Sequence, residues 1–488
     1  MRRAAAALPA LASVLALAAP AAAGQRQESV FQDDNLLMYR GDRVSDRTFD
    51  ELRDIGVDRV RLSVPWRALA PNFRSTRKPR RLRYREADFH PWDHALRAAR
   101  ARGIGVLMNV TGGAPMWATA KRRGRHASRQ YKPSPREFAA FMEVLGRRWD
   151  GDRHPRVTTW SIWNEPNYGA FLQPQWENGR PVAPHLYRGL VRAGLRGLRA
   201  AGHDNDVVLL GETSPVGVAQ RGSTTPMRPA QFLRETLCLD RDLLPISRPD
   251  CRFDDGGGRL EVAGYAHHPY PIVSPPDEGA AHVDDIKLAD TVRLTQILDA
   301  AAGQGRVPPE LPLWYTEFGY QTPPDPVRGI PLDTHAAWLA RAEHLTFLEP
   351  RVVAMTQFQM RDDPPRTFLR RSHPSYWGTY QAGLRFADGR AKPAYDAYRL
   401  ALDAPVRVAR GQRVRLWGFV RAGRNGDAQR VQLEFRAPGT DRFVAAGAPV
   451  DVHDARGYFE ADAPVQATGF WRYAWRGMRS NAVGVFVE

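Results

Sequence analysis

Two short segments carry acidic residues directly behind apolar, strand-like runs: Thr159-Trp160-Ser161-Ile162-Trp163-Asn164-Glu165-Pro166-Asn167 and Leu313-Trp314-Tyr315-Thr316-Glu317-Phe318-Gly319. Two carboxyl groups brought to one cleft can divide acid–base work, one giving up a proton to a leaving oxygen while the other attacks or stabilises the carbon it departs from. Their setting is aromatic. Flat rings stack on sugar faces, and a carboxyl among apolar rings is raised in pKa and can hold a proton near neutral pH.

Such a pair needs a scaffold that ends several strands at one mouth. From residue 46 to about 400, segments of helical period alternate with short β-rich runs, the pattern of βα units around a parallel sheet. Strands are expected within Ser29 to Leu37, then at Val57 to Val64, Ile104 to Val110, Val157 to Trp163, Val207 to Leu210, Leu260 to His267, Leu311 to Thr316 and Val352 to Phe358. A last helix is expected near 392 to 402. Eight such units close into a (β/α)8 barrel, whose βα-loops form the active face. Because the segment is longer than the roughly 250 residues usual for that fold, long loops are expected at 68 to 89, 112 to 133 and 212 to 228. Beyond Ala404 short alternating runs take over and predict a small all-β, sandwich-like domain. The division is therefore a leader over 1–23, an α/β barrel over 24–404 and a β domain over 405–488. Trp417, Phe435, Phe470, Trp471, Tyr473 and Trp475 of that domain read as core rather than as a platform for sugars.

The leader is read from Arg2 and Arg3, the apolar run Ala4 to Ala19 and the small residues Ala21-Ala22-Ala23-Gly24, the three parts of a cleavable secretory signal. In an exported chain Cys238 and Cys251, with twelve residues between them, read as one disulfide closing a loop, worth about 3 kcal/mol on the chain-entropy model. A net charge of +17 invites a nucleic-acid reading, but only five of the 70 cations are Lys, the Arg are scattered over helical faces, and no nucleic-acid motif accompanies them. No other stretch is long and apolar enough to span a membrane.

The segment Trp163-Asn164-Glu165-Pro166-Asn167 closing a predicted fourth strand, with Glu317 closing a predicted seventh, resembles the superfamily of (β/α)8 glycoside hydrolases whose catalytic glutamates end strands four and seven, most closely its cellulase-like and β-xylosidase-like families. The resemblance implies that Glu165 is the acid/base, that Asn164 binds the sugar 2-hydroxyl, and that Glu317 is the nucleophile. Arg61, in Val60-Arg61-Leu62-Ser63-Val64-Pro65-Trp66, resembles the arginine that hydrogen-bonds the nucleophile and keeps it ionised. His268-Pro269-Tyr270 resembles a His-x-Tyr whose tyrosine reaches the nucleophile. Ala114-Pro115-Met116-Trp117 resembles a loop that supplies a stacking tryptophan, a role also considered for Trp163. Two departures concern subsite shape: Thr356-Gln357-Phe358-Gln359-Met360 stands where relatives carry a strand-eight Trp, and Asn109-Val110-Thr111 lacks the His some of them place after strand three. His267 and His268 do not suggest a metal, because adjacent strand residues face opposite ways.

The resemblance implies retention, with carboxyl groups about 5 to 5.5 Å apart against roughly 6.5 to 9.5 Å for inversion. The chain is accordingly read as an exported, monomeric retaining glycosidase of a β-linked carbohydrate, with no cofactor, metal, nucleic acid or membrane span. The rival reading is a non-catalytic glycan-binding or cell-surface protein on a hydrolase barrel.

Overall fold

The computed structural model describes residues 27–120, 128–249, 251, 253, 258–373, 375–423 and 428–488. The leader expected over residues 1–23 lies outside the described residues, as do 121–127 of the loop at 112 to 133.

Eight parallel strands close on themselves: β1 (Glu28–Gln32), β2 (Arg59–Pro65), β3 (Gly105–Thr111), β4 (Thr159–Ile162), β5 (Val207–Thr213), β6 (Gly264–His267), β7 (Leu313–Tyr315) and β8 (Val352–Phe358). β1 is bonded to both β2 and β8, which seals the ring and leaves no edge. A helix follows each strand: α1 (Asp42–Asp54), α2 (His90–Ala101), α3 (Pro135–Arg148), α4 (Ala183–Ala200), α5 (Pro229–Thr236), α6 (Thr291–Gly303), α7 (Leu332–Phe347) and α8 (Pro393–Arg399). The expected barrel is the one observed. The helices are amphipathic with caps where the sequence offers them; Ser134 accepts from the Glu137 amide at the start of α3, with Pro135 in the first helical position.

Strand alternation builds the inside of the barrel in layers. Val60, Leu62 and Val64 of β2 join the large core shared with the helices, so Arg61 and Ser63 turn inward. Toward the bottom, Val30, Leu107, Leu209, Ala266, Trp314 and Ala354 form one apolar plug. Two residues further along the same strands come Gln32, Asn109, Gly211, His268, Thr316 and Thr356. One step up each strand thus changes an oily layer into a polar floor.

The expected last helix stops at Arg399, and Leu400–Asp403 forms a strand, β9, instead. It pairs antiparallel with β10 (Arg413–Val420), which pairs with β12 (Tyr458–Pro464). A second sheet contains β11 (Gln429–Arg436), β13 (Gly469–Trp475) and β14 (Val483–Val487). Between the sheets lie Val414, Leu416, Val431, Leu433, Trp471 and Tyr473. Trp417 and Trp475 are also buried, so four of the six aromatic residues serve packing, while Phe435 and Phe470 are only partly covered. Trp417 stacks on His344 of α7 with ring centres 4.6 Å apart and fastens the β domain to the barrel.

Candidate active site

Glu165 and Glu317 meet at the C-terminal mouth of the barrel. Both line a cavity of about 710 Å³. His268 lies between them: its Nδ1 is 3.2 Å from Glu165 Oε1 and 3.6 Å from Glu317 Oε2. Two oxygens so placed about one nitrogen are at most about 6.8 Å apart.

The surroundings of the two acids differ. Glu317 is clamped on both oxygens: Arg61 Nη1 donates to Oε1 at 2.9 Å and the Tyr270 hydroxyl to Oε2 at 3.0 Å. Arg61 also donates to Gln32 Oε1 at 2.6 Å and, through Nη2, to Asn164 Oδ1 at 2.8 Å. Glu165 has the His268 imidazole as its side-chain partner and otherwise faces the cavity. Its backbone is left-handed, φ +38°, as is that of Trp163 at +70°, which turns the chain sharply out of β4.

Reading by strand ends missed a third carboxylate. Glu212, fully buried, accepts from Arg61 Nη2 at 2.8 Å, His268 Nε2 at 2.7 Å and the Thr316 hydroxyl at 3.0 Å. A β-bulge puts it there. Gly211 pairs with Ala266 and Thr213 with His267, so Glu212 is the extra residue of β5 and takes φ +54°. Gly211 makes the bulge possible: its φ is +117°, and a Cβ would stand 2.2 Å from the Ala266 carbonyl oxygen. The available signal was an apolar run, Val207 to Leu210, ending in an acid, as in the other two segments.

Charge is arranged in depth. Burial alone would make the Glu212 carboxyl harder to ionise, but the Arg61 guanidinium and the bond from His268 bring it down to about 2. Burial would likewise discharge His268, yet the Glu317 charge and the bonds to Glu165 and Glu212 push it up to about 10. Arg61 is raised further above its ordinary value, burial being outweighed by Glu212 and Glu317. Burial, reinforced by the Glu317 charge, keeps the Tyr270 hydroxyl protonated. The floor therefore sets two buried cations, Arg61 and His268, beside the carboxyl groups of Glu212, Glu165 and Glu317.

Trp117 and Trp163 do not reach this cavity. Trp117 packs edge-on to Trp66 and donates its indole N–H to the Pro71 carbonyl. Trp163 is completely buried against Phe138 and Gly112, its indole N–H on the Phe171 carbonyl. Both fill core, and the rings that line the cavity are others. Tyr168, Phe171, Phe358 and Tyr380 line the cavity, Phe358 coming from the strand-eight segment that lacks a tryptophan.

Cys238 and Cys251 form a disulfide, Cα atoms 5.6 Å apart, remote from the cavity lining. His185 lies beside it, but both sulfurs are committed to each other. Glu86, Asp93 and His154 also gather, around the Arg148 guanidinium, which already supplies a cation to both acids.

No family model and no curated protein matches the chain. Among solved structures it is similar to a GH5_18 protein from Bifidobacterium longum subsp. longum, with a TM-score of 0.45 and 13% identity over 76% of this chain and 78% of that one. It is also similar to fungal beta-1,4-galactanases, TM-score 0.43 and 13% identity over 76% and 98% of the two chains. A third neighbour is a family 1 b-glucosidase from Thermotoga maritima, TM-score 0.41 and 12% identity over 70% and 80%. Likeness at this level identifies no family, and the functional reading rests on this chain's own side chains.

Proposed function

We propose that the chain is an exported retaining glycoside hydrolase that cleaves a β-linked glycan or glycoside, with Glu317 as nucleophile and Glu165 as acid/base. The observation that carries this reading is the contact of both carboxylates with one imidazole nitrogen at the floor of one cavity. The bound on one pair of their oxygens admits the retaining separation of about 5 to 5.5 Å.

The roles follow from the asymmetry of the two acids. A nucleophile must stay ionised and fixed, and Glu317 is held by a guanidinium and a phenol. A proton donor must reach the departing oxygen, and Glu165 is the acid with a side chain otherwise open to the cavity. In the first step a Glu317 oxygen bonds to the anomeric carbon. The bond from that carbon to the leaving oxygen breaks, its electron pair going to the oxygen, which takes the Glu165 proton. In the second step Glu165 removes a proton from water, the water oxygen bonds to the anomeric carbon, and the ester bond to Glu317 breaks. Asn164, whose amide oxygen accepts from Arg61, would bind the sugar hydroxyl beside the reacting carbon. Tyr168, Phe358 and Tyr380 offer ring faces for the sugar.

Export rests on the leader-like residues 1–23 and on the disulfide. Among the described residues no helix is long and apolar enough to cross a membrane.

The test is hydrolysis of aryl β-glycosides and of β-glucans, xylans, mannans and galactans, with the anomeric form of the product recorded at early times. Retention is expected, lost in Glu317→Ala. An inverted first product would overturn the double displacement. Binding without turnover across the panel would replace the enzyme with a glycan-binding protein.

A further inference from the structure

Glu212 has no part in a two-carboxylate reaction, yet it touches nearly everything that touches the two reacting acids. Its side chain accepts from Arg61, which grips Glu317, and from His268, which faces both acids. It accepts from Thr316, the residue before Glu317. Its own backbone carbonyl accepts the Glu165 amide at 2.8 Å. We propose that Glu212 is a positioning residue for the reaction proposed above: it holds Arg61 and His268 as two fixed cations, so that negative charge passing between Glu317 and Glu165 meets a cation at either end.

The reaction itself calls for such a device. When Glu317 forms its ester it loses its charge, and when Glu165 gives up its proton it gains one; the second step reverses both. One negative charge is thus relocated across the cavity twice per turnover. A cation placed within reach of both acids stabilises the charge in either position without moving, because the attraction depends on distance alone. His268 Nδ1, at 3.2 and 3.6 Å, has that placement.

The neighbouring residue provides an internal control. His267 is as deeply buried as His268, but its ring nitrogens meet the Thr213 hydroxyl and the Ile286 carbonyl, and burial drives it down to about 3. With no carboxylate at its ring nitrogens, His267 is therefore pushed the opposite way from His268. The charged and titratable groups facing His268 are Arg61 from β2, which shares the Glu212 Oε2 oxygen with it, Glu165 from the end of β4, Glu212 from β5, Glu317 from β7, and His267 and Tyr270 from its own segment. Of the three acids, Glu165 and Glu317 each spend part of the cycle neutral. Glu212 alone keeps its charge throughout, and its bulged backbone exists to aim it there.

The inference rests on the hydrolase reading, and the experiment separates the two. Nitrogen-15 histidine spectra of the wild-type protein should show one imidazole charged from pH 6 to 9, assigned to His268 by its loss in His268→Asn. A neutral His268 at pH 7 overturns the proposal, whether or not any variant folds. Glu212→Gln should lower kcat about 100-fold with KM little changed, bring the His268 titration into the neutral range and distort the pH profile, while Glu212→Asp recovers part of the rate. If Glu165→Ala and Glu317→Ala abolish hydrolysis while Glu212→Gln keeps the wild-type kcat and pH profile, this inference fails alone. If Glu317→Ala remains active, the hydrolase reading falls first.

Discussion

Two of the places where this molecule buries ions, the floor of the cavity and the junction between barrel and β domain, are organised on opposite rules. At the junction each acid is answered. Arg421 Nη2 lies 2.7 Å from Glu343, with the rings of Tyr398 and Phe419 over its guanidinium at 4.2 and 4.3 Å. Asp403 receives both Arg341 and His344, at 2.8 and 2.6 Å. In the floor, two cations are divided among three carboxyl groups, and the two with open faces, Glu165 and Glu317, are those turned to the cavity, their side chains 17% and 13% exposed. A closed set of pairs stabilises a contact. An open set leaves something for a substrate to complete.

Substitutions in the two regions should therefore part activity from stability. The largest effect is expected from Glu317→Gln, which keeps the shape and the Tyr270 contact but removes the proposed nucleophile; kcat/KM should fall by about 10⁴-fold or more, with the far-ultraviolet circular dichroism unchanged. Glu165→Ala should cost about 10²- to 10⁴-fold, and less on an aryl glycoside whose leaving group needs no proton. Added azide should restore its turnover, because a small anion can enter the space left by the carboxylate and attack the ester without a base. Loss of folding in either variant would erase the contrast between floor and junction.

At the junction the order of effects reverses. Arg421→Met leaves Glu343 without its guanidinium and should lower unfolding free energy by about 3 to 5 kcal/mol, seen as a lower urea midpoint, while kcat of the folded protein stays at the wild-type value. A fall in kcat without a fall in the midpoint would show that the junction reaches the site.

How far the molecule could be read from its residues follows the same division. The strands and the two acids at the cavity were legible because an apolar run closed by an acid is a local pattern, and barrel geometry sends every strand end to one mouth. Glu212 was hidden, since its aim depends on a register shift between β5 and β6, a property of the pairing and not of either strand. Trp117 and Trp163 were misplaced for a related reason: an aromatic residue beside an acid packs inward or outward according to neighbours far off in sequence, here Trp66, Phe138 and Gly112. Tyr168 and Tyr380 sit in irregular loops where no period exists to mark them. Leu400–Asp403 extended the helix on paper because Leu-Ala-Leu-Asp suits either state, and pairing with β10 decided it.

The smallest effect sharpens the comparison at a group next to the floor that belongs to neither set of ion pairs. Asp33 follows Gln32 at the end of β1, is buried, and accepts only from backbone amides, those of Leu36, Met360 and Arg361. Burial outweighs those bonds and raises its carboxyl from 3.8 to about 6. The folded chain therefore holds this proton more tightly than the unfolded chain does. The contribution favours folding fully below pH 3.8 and is lost as the pH climbs through 6. Asp362 beside Lys392 follows the same direction, so the slope belongs to more than one group. The measurement is accordingly a difference: urea midpoints of the wild type and of Asp33→Asn between pH 4 and 7, where the wild type should lose stability relative to the variant as the pH rises. A constant gap between the two curves would mean that Asp33 is ionised across the whole range, held by its three amides against burial, and that a carboxylate in this barrel needs no cation to keep its charge.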